Sequence, residues 1–374
     1  MGHNAAAIEW VRDDAAMEAL LPDLAGGPLA VDAEGDSLHH YPEKVCLIQL
    51  AVGSRSILLD PLAEVDVGAL AGVLGDPSVR KILHGADYDL RVFQRDFDIR
   101  IRGLFDTMVA SRLVGERSFG LSALLERFFD VRMDKRFQRA DWSRRPLTPE
   151  MEAYAALDTQ HLAALCSRLE QRLEALGRAG WAAEEFARLE AIRWSERSDP
   201  EAYRRVKGSA RLAARELAVL RALHGWRDAE ARRRDRPPFR VMRDEQLLAL
   251  ARFEPLDGQE LPGMTTSLRR GGAKRELREI ISAARELPEE AWPQRAQRAR
   301  RRPAPRRDPP WLRLRDARDA LAKELDLEPA VVASRAALEQ VLAEVEAGEE
   351  PAAAGELRHW QLELLLPTLR KLGA

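Results

Sequence analysis

Cysteine is nearly absent from this chain of 374 residues, which has only Cys46 and Cys166. Both stand in apolar contexts, Val45-Cys46-Leu47-Ile48 and Ala164-Leu165-Cys166. A disulfide framework or a thiolate zinc site is thereby excluded, and the two read as small buried hydrophobes of a reducing compartment. Long apolar runs are missing too: stretches such as Leu364 to Leu366 fall far short of the roughly 18 residues that span a bilayer. No membrane partner is expected. Met1 to Glu9 lack a basic segment leading into a long apolar one, so no secretory signal is read there and a cytoplasmic location is expected. No Gly-x-x-x-x-Gly-Lys-Ser/Thr phosphate loop is present, which argues against a helicase-type role. Net charge is also lacking: 59 Lys+Arg against 61 Asp+Glu leave −2, which excludes a uniformly basic nucleic-acid binder. With 45% hydrophobic and 32% charged residues, the chain has the composition of a globular protein and the length for two or three domains.

The charge that is there is unevenly placed. Residues 1–160 hold 18 Lys+Arg and 26 Asp+Glu, whereas residues 203–243 hold 13 and 4, including Arg232-Arg233-Arg234. Gln294 to Arg307 adds seven arginines, no acid and two prolines. An acidic module joined to a polyanion-binding module would look like this, because phosphate neutralisation depends on local charge. Solvated helix faces and a linker would look the same, and Pro303, Pro305, Pro309 and Pro310 prevent a continuous helix through the last stretch.

Short β-branched runs bounded by turn residues predict strands at Leu29–Val31, Val45–Leu50, Ile57–Leu59 and Val79–Leu83. From about Gly103 the three- and four-residue spacing of apolar side chains predicts helices over Thr107–Val114, Leu121–Phe129 and Pro149–Leu169. The first module is therefore α/β. After Ser198-Asp199-Pro200 only helices are predicted: Ala210–Arg232, Arg243–Phe253 and Gly272–Glu286, then Trp311–Leu325, Ser334–Glu346 and Leu357–Leu372.

The most informative residues are acidic. In Val31-Asp32-Ala33-Glu34 a strand puts both carboxylates on one face, and two adjacent anions suit a hard cation such as magnesium or manganese between them. Asp-x-Glu alone is common. Two further groups add weight: His84-Gly85-Ala86-Asp87-Tyr88-Asp89-Leu90 follows a predicted strand, and Tyr154 and Asp158 lie at i, i+4 on one helix face.

That order of Asp-x-Glu, an Asp opening a helix and Tyr-x-x-x-Asp resembles the DEDDy branch of the 3′→5′ exonucleases, which have a ribonuclease H-like fold. The segments Val45–Leu50, Lys81–Ala86, Phe105-Asp106-Thr107 and Asp141-Trp142-Ser143-Arg144-Arg145-Pro146-Leu147 narrow the likeness to the ribonuclease D family over about residues 28–170. In the related DEDDh branch a histidine stands five residues before the last Asp; here that position is Ala153, and His161 falls after Asp158. The resemblance implies that Asp32, Glu34, Asp89 and Asp158 bind two divalent ions, Mg²⁺ or Mn²⁺, and that Tyr154 orients the attacking water. Asp89 is preferred to Asp87, which reads as a helix N-terminal acid, and His84 reads as a structural hydrogen-bonding residue. Gly35-Asp36 departs from the family, where a bulkier residue commonly follows the Glu.

Leu217–Leu223, His224-Gly225-Trp226-Arg227-Asp228, Arg236–Val241 and Gln246–Ala251 resemble the HRDC domain, with Trp226 and Phe239 expected in its core. The expected organisation is an α/β ribonuclease H-like exonuclease domain over 1–197, an all-α HRDC domain over 210–292, and a second HRDC-like helical domain over 308–374. Lys135, Arg136, Arg139, Trp142 and Arg145, together with Arg232, Arg233 and Arg234, are candidate nucleic-acid contacts. For Trp142 the alternatives are base stacking and burial. The function expected is a metal-dependent 3′→5′ exoribonuclease that trims structured precursors such as tRNA and releases nucleoside 5′-monophosphates. A single-stranded DNA exonuclease and an inactive RNA-binding scaffold remain alternatives, and no obligate protein partner is evident.

Overall fold

Six strands form one mixed sheet in the order β1-β4-β3-β2-β5-β6. In the computed structural model, which describes residues 8–195, 199–254, 260–262, 272–294, 309–349 and 357–373, the predicted strands are β2 (Leu29–Gly35), β3 (Val45–Val52), β4 (Arg55–Glu64) and β5 (Lys81–Leu83). Two edge strands, β1 (Ile8–Asp13) and β6 (Leu104–Asp106), complete the sheet. β3 runs antiparallel to β2 and β4, and the remaining neighbours are parallel.

The pleat of β2 decides what the sheet can do. Leu29, Val31 and Ala33 enter a core shared with Met17 and Leu20 of α1 (Asp14–Leu24) and Leu90 and Phe93 of α3 (Asp87–Phe97), past the short α2 (Ala71–Gly75). On the opposite face Ala30 packs with Ala51, Ile82, Leu162 and Leu165, and Asp32 and Glu34 continue along that face. Helices cover both sides, so β3 is buried almost end to end and reads as a continuous apolar run. The helices that follow are α4 (Thr107–Leu113), α5 (Leu121–Phe129), α6 (Pro149–Gln160), α7 (Leu162–Ala175) and α8 (Ala179–Glu190). The single helix expected from Pro149 to Leu169 is two, divided at His161.

The chain separates into two compact units, residues 1–35, 45–195 and 306–374 in one and residues 36–44 and 196–305 in the other. The segment expected as a module of its own, 308–374, thus shares the unit of the sheet. Its helices, α13 (Pro309–Glu324), α14 (Pro329–Val332), α15 (Arg335–Glu346) and α16 (His359–Gly373), contribute Ala322, Val332 and Trp360, and the turn between α13 and α14 contributes Leu327, to the core that holds Phe105 and Phe186.

The second unit packs α9 (Ala214–Arg234), α10 (Pro238–Val241), α11 (Asp244–Arg252) and α12 (Ala273–Arg285) around Leu217, Leu220, Trp226, Leu247 and Leu277. Trp226 is 7% exposed, as expected of a core residue, but Phe239 is 50% exposed. The short α10 buries Val241 and leaves Phe239 outside. The Pro/Arg stretch read as a linker lies, over 295–308, outside the described residues. No helix among the described residues is long and apolar enough to cross a membrane.

Candidate active site

Carboxylate oxygens of Asp32, Glu34 and Asp158 lie within 4.8 Å of one another. β2 supplies the first two, and α6, which packs across β2, β3 and β4, supplies the third. Asp89 comes from the first turn of α3 and is 4% exposed. It stands outside the group of three, yet the charge of Asp32 raises its pKa after burial has done so. Asp87, two residues earlier, is exposed and pairs with Arg91 one turn on. Burial pushes Asp32 up to about 7. Glu34 and Asp158 are held well above the carboxylate range by burial and then by the charges of their acidic neighbours.

These groups fit divalent cations. The donors are hard oxygens, as magnesium and manganese require. Asp89 Oδ1 and Asp158 Oδ2 are buried with no hydrogen-bond partner, a costly state for a polar atom that a cation would relieve.

The turn between β5 and α3 is fixed by a residue whose role the sequence did not reveal. Asp106 accepts hydrogen bonds from the backbone N–H groups of Gly85 (3.1 Å) and Ala86 (2.8 Å), and also from Met108 (2.8 Å) and Val109 (3.0 Å) at the start of α4. One carboxylate thereby sets where α3 begins and so where Asp89 stands. Its signal was the N-cap pattern of an Asp just before a helical run. Gly85 has φ +77°, a left-handed conformation that favours glycine. His84 Nδ1 is 2.9 Å from Thr107 Oγ1, whose own hydrogen goes to the Leu83 carbonyl. Nδ1 must therefore donate. Burial pushes His84 down to about 4 and keeps it neutral.

Tyr154 sits one turn before Asp158 and packs against Phe137 and Trp142, with ring centroids 5.7 and 6.1 Å away. Burial, then Asp158, raises its pKa above the usual phenol value, so its hydroxyl keeps its proton. Trp142 is 1% exposed; a ring so buried offers no face to a base, and of its two readings burial holds. Arg145 is likewise occupied: it grips both oxygens of buried Asp60 at 2.6 Å and also donates to the Cys46 and Trp142 carbonyls. Arg136 pairs with Asp134, and Arg139 is exposed on the same turn. Lys135 opens that turn, but its side chain lies outside the described residues. In the second unit Arg232 pairs with Asp228, while Arg233 and Arg234 both pair with Glu230. A cleft of about 900 Å³ in that unit is lined by Tyr41, Tyr203, Arg205, Arg221, His224 and Arg232 among others. Sequence reading did not single out Tyr203, Arg205 or Arg221.

A buried acidic group on a mixed sheet, covered by a helix that adds a tyrosine and an aspartate, defines a class, the 3′→5′ exonucleases. A family model of that description matches residues 8–174, and the HRDC domain model matches residues 216–283. Ribonuclease D of Pseudomonas paraeruginosa is 36% identical over 342 residues, covering 90% of this chain and 89% of that one. Ribonuclease D of Escherichia coli is 34% identical, covering 76% and 77%. The crystal structure of Escherichia coli RNase D, described as an exoribonuclease involved in structured RNA processing, superposes with a TM-score of 0.75 at 28% identity over 98% of each chain. The chain belongs to the ribonuclease D family of 3′→5′ exoribonucleases.

Proposed function

We propose that the protein trims the 3′ ends of structured RNA precursors such as tRNA, and that Asp32, Glu34, Asp89 and Asp158 hold two divalent ions, Mg²⁺ or Mn²⁺, for hydrolysis to nucleoside 5′-monophosphates. The observation that carries this reading is the convergence of Asp32, Glu34 and Asp158 within 4.8 Å, with buried Asp89 near enough for the charge of Asp32 to raise its pKa. Divalent ions there supply Lewis acidity, lowering the pKa of water and compensating charge on the phosphodiester. The protein's own part is placement. β2 and α6 hold carboxylates whose crowding and partial burial oppose their ionising together without a cation, and the protonated Tyr154 hydroxyl orients the attacking water. A phenol that keeps its proton is a donor and not a general base at neutral pH.

The second unit is proposed to hold RNA. Its support is the excess of 13 basic over 4 acidic residues in 203–243 and the arginine-lined cleft. Arg232, Arg233 and Arg234 must exchange Asp228 and Glu230 for phosphate to take part. The buried thiols Cys46 and Cys166 suit the cytoplasm proposed as its location.

The test is shortening of a 3′-extended tRNA precursor by the full chain with magnesium, with and without chelator. Asp32→Asn should lower kcat by more than the about 10- to 100-fold that a residue merely supporting a metal ligand is worth. Magnesium-independent shortening, or an unaffected variant, would sink the metal reading. Faster degradation of the matching single-stranded DNA would favour a DNA exonuclease.

A further inference from the structure

Gln49 lies in the middle of β3, opposite Asp32 of β2 on one side and Leu58 of β4 on the other. Residues directly opposite in an antiparallel ladder share a face, with Cβ atoms about 5 Å apart. Gln49 therefore stands beside Asp32 on the face that α6 covers. It is 0% exposed, and neither its amide nitrogen nor its amide oxygen has a hydrogen-bond partner. An amide brings two donors and an acceptor, and leaving them all unmade in the interior is costly. The neighbours along the strand on the same face, Leu47 and Ala51, are apolar, and a methionine of nearly the same shape would fill the place without that cost. Leu47 stands opposite Glu34 and Ala51 opposite Ala30, so of the three positions it is Gln49, the polar one, that faces Asp32.

We propose that Gln49 is a positioning residue whose side-chain amide holds the Asp32 carboxylate in the orientation that receives the divalent ion. This rests on the reading of Asp32 as a metal ligand. A carboxylate has about four lone-pair sites, so one fixed by an N–H leaves the others for the cation. Hydrogen bonds of this kind to a ligand from outside the coordination shell govern both orientation and affinity. A neutral amide does so without competing for the site, as a lysine would, and without adding a fifth charge to it, as a glutamate would. One of the amide's unmade donors is satisfied in the same step.

The experiment uses the full chain and Gln49→Met. Thermal unfolding should show the variant as stable as the parent or more so, because a costly buried amide has gone. Calorimetric titration of Mn²⁺ into the RNA-free protein should give binding about 10- to 100-fold weaker. At limiting Mn²⁺ kcat should fall by a similar factor and recover as Mn²⁺ is raised, with KM for RNA unchanged. Asp32→Asn is titrated in parallel. If that variant binds Mn²⁺ as the parent does, the metal reading itself is wrong; if it loses Mn²⁺ while Gln49→Met retains the parent's affinity and kcat, only the role of Gln49 is overturned. Should Gln49→Met fail to fold, a crystal structure of the parent with Mn²⁺ decides. The amide nitrogen is expected within about 3.2 Å of an Asp32 oxygen, and an amide bonded elsewhere would overturn the proposal.

Discussion

Four carboxyl groups, Asp89 and Asp158 buried and Asp32 and Glu34 half-buried, repel one another, and this sets how the protein answers pH and divalent ions. Asp32 rises from an ordinary 3.8 to about 7, and Glu34, Asp89 and Asp158 rise as well. A group whose pKa is higher folded than unfolded adds stability below the unfolded value and loses it as pH climbs through the folded one. Without ions, the melting temperature should therefore fall between about pH 5 and pH 8. Mn²⁺ should restore it, and by more at the upper pH than at the lower. Differential scanning in chelator and in Mn²⁺ measures both effects; a chelated protein whose melting temperature stays level across that window contradicts the account. Tyr154 answers differently, since burial keeps its phenol protonated throughout. Tyr154→Phe should lower kcat by about 10- to 100-fold, the value of one hydrogen bond to a group becoming charged. Mn²⁺ affinity should not change, and a calorimetric titration beside the kinetics separates the two.

At the level of elements, the turn before α6 shows why a basic motif need not be a phosphate site. Arg145 ties that turn to Asp60 on β4 and to the Cys46 carbonyl on β3, and so seats Trp142 against Tyr154. Arg145→Ala leaves Asp60 buried and unpaired, which should cost about 3 kcal/mol of stability in urea unfolding. The salt dependence of RNA affinity should stay the same; a shallower slope would return Arg145 to the phosphate contacts. The arginine was visible in the sequence, but its partner lies on a distant strand and no local pattern announces it. The legible features were local: the alternation that puts Asp32 and Glu34 on one face, and the i, i+4 spacing of Tyr154 and Asp158. β6 has three residues and carries no period. β1, Ile8–Asp13, has charges at Glu9, Arg12 and Asp13 that obscure its alternation. The pairing of Arg232 with Asp228 followed a spacing that was readable, i to i+4, and it alters what the basic run can offer.

Across the whole molecule, the near-zero net charge is a sum of an acidic first region and a basic later one: the first carries the cluster of Asp32, Glu34 and Asp158, and the second holds Arg232, Arg233 and Arg234 in ion pairs with Asp228 and Glu230. The described helices after residue 308 are tied into the unit of the sheet. Glu184 accepts from the His359 and Trp360 backbone N–H groups, Glu185 pairs with Arg358 at 3.2 Å, and Arg178 donates to the Leu325 carbonyl at 2.6 Å. Trp360 stacks on Trp181 at 4.5 Å within the core that also holds Phe105 and Phe186. Because Phe105 adjoins Asp106, which fixes the start of α3, this core supports the placement of Asp89. Trp360→Ala should therefore destabilise the nuclease itself, by about 3 to 5 kcal/mol. Heat-induced loss of metal-dependent activity and loss of helical circular dichroism should move down in temperature together. If the C-terminal helices melt first in that variant while activity persists, they are an appended module; coincident loss means that the last helices are part of the nuclease fold.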